Sequence, residues 1–211
     1  TEASAGRTNL SDEAIRLGRT IQMLMPDHAE VAGLLALMLL HDARRLARLN
    51  ASGDMVPLPE QNRARWDQAK IAEGDSLLQQ TLPRGQVGPY QLQAAISALH
   101  TQAATWATTD WPQIAALYAL LYQIQPSPAV RVNQAVAVSY ATSPAAGLAL
   151  LDQVTDDPAM ESYQSFHAAR ADLAARDGRL MDARASYDRA IALTTSAPEQ
   201  RYLTAKRAAI S

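Results

Sequence analysis

The stretch "QSFHAARADLAARDGRLMDARASYDRAIALTTSA", residues 164–197, decides the fold. Asp177-Gly178 is a turn signal between two helix-forming runs. Ala171 takes a small position in the first run, and Ala183, Tyr187 and Ala190 take small, aromatic and small positions in the second. Two helices joined by so short a turn must lie antiparallel, and small residues at this spacing let their backbones approach. The pattern recurs upstream. Ala137, within the run 133–140, lies 34 residues before Ala171, and a second helix, Ala146 to Val154, follows after a shorter turn. Pro112 to Pro126 is a weaker copy. Stacked helical hairpins are therefore predicted over 130–197.

A 34-residue period with this small-large-small spacing is that of tetratricopeptide units, which are scaffolds for protein contacts rather than catalysts. The alternative is a generic hairpin stack that uses Ala where helices cross. In a repeat groove the candidate contact residues are Arg131, Gln134, Asp172 and Arg176.

Outward from this stretch the chain also reads as helix. Ser11 can cap a helix to Met25, with Asp12 and Glu13 in its first turn, where the helix dipole favours acids. A second helix is expected from His28 to Leu49, apolar on every side in its first half and so central. Pro57 and Pro59 make 54–59 an extended loop. Further helices are expected at 65–82, 89–107, 110–124, 129–141, 144–154, 161–176, 180–194 and 198–209, with a loop over 83–88. The class is all-α, an array of about ten helices. Residues 1–10 read as a linker remnant, 11–128 as a helical domain and 129–211 as tetratricopeptide-like repeats continuous with it.

Composition narrows the function. With 211 residues the chain can bury a real core, and its net charge of −2 carries no nucleic-acid signature. Zero cysteines exclude disulfides and thiolate metal sites. The longest apolar run, Val31 to Leu40, is half of the roughly 20 residues a membrane span needs, so a cytoplasmic protein without membrane contact is expected. The start at Thr1 points to a piece of something longer. The four histidines, His28, His41, His100 and His167, form no His-x-x-x-His pair. No glycine-rich phosphate loop or nucleophile elbow is present, so no cofactor, metal or catalytic activity is expected.

Two constellations stand out. His41, Asp42, Arg44, Arg45, Asp54, Arg63, Arg65 and Asp67 interleave cations and carboxylates. They read as a clamp pinning the 54–67 loop onto the second helix, or as an anion site. The second concerns charge. Between Gly85 and Leu151 only Asp110 and Arg131 are charged. Within that segment the helix beginning at Pro89 places Tyr90, Gln93, Ser97, His100 and Thr101 in one polar, uncharged stripe. Leu92, Ile96 and Leu99 should face the core, and Gln91, Ala94 and Ala98 form a flank for close helix approach. Such a stripe suits a surface that meets a protein partner, or a neighbouring helix of the same array.

Six ordered segments carry a family resemblance: 41–45, the loop 54–67, 71–74, 88–96, 110–114 and 145–152. Together they resemble the C-terminal extension of a subgroup of extracytoplasmic-function (ECF) RNA polymerase sigma factors, from about Leu10 to Leu203. Asn62 and Ala64 depart from that pattern, where Asp and Ser are expected. The resemblance implies a regulatory domain that acts on its own N-terminal sigma domains or on core RNA polymerase. It also implies that DNA is reached only through promoter-binding domains outside this chain. The alternative is a small-molecule sensor or vestigial enzyme, with a pocket among the second helix, the 54–67 loop and the Gly88 helix.

Overall fold

Eleven α-helices and no strand are found among the described residues of the computed structural model, which are 2–81, 85 and 87–210, with side chains from residue 10 onward. The chain is all-α. It divides into two units: residues 1–48 with 58–109, and residues 49–57 with 110–211.

The first unit is built on α2 (Ala29–Asp42), with α1 (Glu2–Leu24), α3 (Gln68–Thr81) and α4 (Pro89–Gln102) packed against it. Ala32, Leu35, Ala36, Leu39 and Leu40 are buried on several sides of α2, as an all-apolar helix requires. Glycines set the closest approaches. A Cβ on Gly33 would lie 2.7 Å from the Gln91 backbone nitrogen, so α2 and α4 touch backbone to backbone. Gly74 of α3 sits the same way over Leu40.

The second unit holds α5 (Trp111–Ile124), α6 (Pro128–Ala141), α7 (Pro144–Asp152), the short α8 (Pro158–Glu161), α9 (Gln164–Arg176), α10 (Leu180–Leu193) and α11 (Ala197–Ala208). Asp110, Ser127, Ser143 and Asp157 each cap a helix whose first turn holds a proline, so the chain restarts cleanly four times. The helices pack as successive neighbours, α5 on α6, α6 on α7, α7 on α9 and α9 on α10. Ala137, Ala171, Ala183 and Ala190 are all buried, Tyr187 lies among them, and Gly178 turns the α9–α10 hairpin at φ 81°.

The structure departs from the sequence reading in several places; the helix expected over 89–107 stops at Gln102, and that expected over 161–176 starts at Gln164. Residues 2–10, expected to be a linker, are the start of α1. The helix expected over 28–49 stops at Asp42, because the Ala43 carbonyl accepts the Asp67 N–H at 2.9 Å and the chain continues as a tighter turn over Arg45–Ala47. The helix expected from Arg65 starts at Gln68, after a separate turn over Arg63–Arg65 that Asn62 caps through the Ala64 N–H. The division falls after Thr109 rather than after 128, because α5 packs on α6, with Trp111 stacked on Tyr140 at 4.5 Å. Leu82 and most of the loop expected over 83–88 lie outside the described residues.

Gly33→Ala should destabilise the first unit by about 1–3 kcal/mol, because the obstructing atoms are backbone. Urea unfolding followed by tryptophan fluorescence checks this.

Candidate functional site

Helix α4 has no Asp, Glu, Lys or Arg of its own, yet both its ends meet charge. At the N-terminus, Gln91 Oε1 accepts the Gly88 N–H at 3.3 Å, and Gly88, with no side chain, cannot return the bond. Glu30 of α2 supplies what is missing: its carboxylate accepts the Tyr90 N–H at 2.9 Å and the Gln91 N–H at 3.0 Å. At the C-terminus, Arg63 Nη1 donates to the carbonyls of His100 at 2.6 Å and Ala103 at 2.8 Å. An anion at the start and a cation at the end match the helix dipole.

Trp66 is buried between two guanidiniums, with Arg63 4.5 Å and Arg44 5.8 Å from the ring centroid. Arg44 donates to Gln61 Oε1 at 3.3 Å rather than to a carboxylate. Burial, then Arg48 and Arg63, lowers its pKa to about 10, and it stays charged at neutral pH. His100 stacks on Trp106 at 6.2 Å, and burial, then Arg44, Arg63 and His41, lowers its pKa to about 4. His41 Nε2 and Ser97 Oγ are 3.2 Å apart, joining α2 to α4. The His41 pKa is lowered by burial, then by Arg48 and Arg44, although an exposed edge of the ring limits how far desolvation acts.

The expected clamp is thus two separate structures. Asp42 takes Lys70 at 2.5 Å and Arg45 at 3.5 Å, with Asp12 near both cations, so Arg45 is paired with carboxylates as expected. Arg44 and Arg63 instead serve an aromatic ring, an amide and helix carbonyls. Arg65 is exposed and has no ion pair among the described residues, against its expected structural role. Asp67 caps α3 through the Ala69 and Lys70 N–H groups at 3.1 Å. Asp54 belongs to the second unit and pairs there with Arg201.

The polar stripe does not form one surface. Tyr90 is exposed and Gln93 and Thr101 are half-buried, but Ser97 faces α2 and His100 faces the arginine cluster. The interface at α4 is instead the flank of Gln91, Ala94 and Ala98, all buried, with Gln91 against Gly33.

In the second unit Arg131 donates to Gln134 at 2.7 Å and lies 3.7 Å from the Tyr122 ring centroid. Arg176 reaches from α9 to the Ser139 hydroxyl and carbonyl of α6 at 2.9 and 3.0 Å, stacks over Tyr140, and stands 3.5 Å from Asp172. The repeat-groove candidates therefore tie helices of this unit together. Sequence reasoning missed Glu30, because an acid in the first turn of its own helix already has a local use.

The sensor alternative expects a pocket among the second helix, the 54–67 loop and the Gly88 helix, and of that loop residues 58–67 share a unit with α2 and α4. That junction is filled by Trp66, Arg63 and the His41–Ser97 contact. A cavity of about 270 Å³ opens beside α1 instead. No group of three or more His, Cys, Asp or Glu that could hold a metal ion occurs among the described residues. No helix among them is long and apolar enough to cross a membrane.

Residues 1–82 match a family of unknown function, DUF6596. The chain is 42% identical over 195 residues to an uncharacterized protein of Rhizobium meliloti (strain 1021), an alignment taking in 92% of this chain and 46% of that protein. The chain thus spans about half the length of this curated relative. No solved structure matches.

Arg63→Ala should cost about 1.5–3 kcal/mol by orphaning helix carbonyls, and Arg65→Ala less than about 0.5 kcal/mol. Denaturant midpoints of the two variants check the contrast.

The unfolded His100 ring binds a proton below its ordinary pKa near 6.5, the folded ring only below about 4. Its contribution to stability is therefore complete above pH 6.5 and declines on acidification. Between pH 7 and 5 that loss should be about 1–2 kcal/mol, and His100→Gln should remove most of it, read from urea curves at both pH values.

Proposed function

We propose that this chain is the C-terminal regulatory, tetratricopeptide-like interaction domain of an ECF-type RNA polymerase sigma factor. In this reading it works in the cytoplasm, in transcription initiation, by docking on its own promoter-recognition domains or on core polymerase. The observation that carries an interaction role is the outer face of α1. Leu10, Ala14, Leu17, Ile21 and Leu24 recur at alternating four- and three-residue steps, and all are exposed, Leu10 by 73% and Leu24 by 77%. Met23 and Met25 widen the same end. The inner face, with Ile15 and Gly18, is occupied by α2. A seam spaced this way is what a second helix packs against.

The resemblance carried by the six ordered segments is what suggests this partner class. The curated relative supports the reading, since more than half of its length lies outside the matched part. Arg44, Arg63, Glu30 and Trp66 hold the scaffold that presents α1 and take no part in chemistry. The domain binds and positions, and we assign it no catalytic step.

The test is co-purification of this chain with the separately expressed sigma domains of its own protein and with core polymerase. The wild-type chain should retain one of them. Leu17→Glu with Ile21→Glu, both at exposed positions, should keep the melting temperature and reduce retention at least tenfold. Retention of neither partner by the wild-type chain, or equal retention by the double variant, overturns the proposal.

A further inference from the structure

The cavity of about 270 Å³ has two unlike walls. One is apolar: Ala14 and Ile15 of α1 and Met38 of α2. The other carries Ser11, Arg45 and Arg48, with Asp42 below them. Asp42 is committed to Lys70 and Arg45. Arg48 is not so committed. It donates from Nη2 to the His41 carbonyl at 2.9 Å and is in no ion pair with a carboxylate among the described residues. Ser11 places its hydroxyl on the same lining. A positive rim with a guanidinium and a hydroxyl, set over a short apolar wall, calls for one chemistry: an anion with a small hydrocarbon body. By water's share of liquid volume the space equals about nine waters, which limits that body to a few carbons.

We propose that this cavity binds a small aliphatic monocarboxylate, its carboxylate on Arg48 and Ser11 and its chain along Ala14, Ile15 and Met38. Arg48 suits the carboxylate because a guanidinium presents two parallel N–H donors to two oxygens. The site shares only Ala14 with the outer seam of α1, and hexanoate binding is read on the chain alone, so its failure is distinguishable from failure of the transcriptional reading. Because α1 supplies Ser11, Ala14 and Ile15, and α2 with the turn after it supplies Met38, Asp42, Arg45 and Arg48, the occupied site fastens α1 to the helix at the centre of its unit.

Hexanoate is the probe, titrated into the intact chain while the methyl signals of Ile15 and Met38 are followed by NMR. Saturable shifts at both, with Kd on the order of 1 mM or below, are expected for so small a ligand. Hexanol tests the charge and inorganic phosphate tests the tail, and each should bind at least tenfold more weakly. Arg48→Ala should weaken hexanoate at least tenfold with Ile15 and Met38 otherwise unshifted, which shows the fold retained. Ala14→Phe, at an exposed rim position, should block binding while leaving Arg48 in place. The proposal is overturned if hexanoate gives no saturable shift, if hexanol or phosphate matches it, or if both variants bind as the wild type does.

Discussion

The two ends of α4 are the constraint on which the first unit depends. A helix without charge leaves its terminal N–H and C=O groups to be met from outside, and here they are met by single residues on different elements. Glu30 can reach the N-terminus only because Gly33, one turn on, lets α2 and α4 approach backbone to backbone. Arg63 can reach the C-terminus only because the 58–67 segment is tied to the end of α2 through the Ala43–Asp67 hydrogen bond. Trp66 holds that guanidinium flat, and Arg44 covers the ring's surroundings. The α2 break, the turn at 63–65 and the straight seat of α4 are therefore one arrangement.

The second unit solves the same problem locally. Four of its helices, α5 to α8, are capped by a side chain one or two residues before a first-turn proline, so these restarts are self-contained. Contacts between helices rest on small residues: Gly147 of α7 lies so close to the Ala135 carbonyl and Leu173 that any side chain would intrude. Arg176 spans α9 to α6 and gives the stack a polar tie beside its apolar core. Local caps and nearest-neighbour packing suit an array whose helices fold in sequence.

This difference explains how much was legible in the sequence. Ala171, Ala183, Tyr187 and Ala190 were placed from spacing alone, because a hairpin's contacts fall at fixed offsets. Asp110 announced itself as a cap by standing before Trp111-Pro112. The first unit was read less well. Nothing near Glu30 indicates a helix 58 residues later, and nothing distinguishes Arg63 from Arg65 until the turn points one inward and the other outward. Ser97 and His100 fell on the polar arc of a helical wheel, but polarity was no guide to exposure, because Ser97 meets the His41 ring and His100 stacks on Trp106.

Residues 49–57 belong with 110–211, and their Asp54 meets Arg201 at 147 positions' distance. In the order of synthesis that is a long interval. At about 5–20 residues per second the loop emerges roughly 7–30 s before Arg201 exists. During that time the residues on either side of the loop can assemble as the first unit while the loop itself has no partner. The ion pair is exposed and holds little by itself. Its significance is one of timing: the loop at 49–57 waits for a partner made 147 positions later.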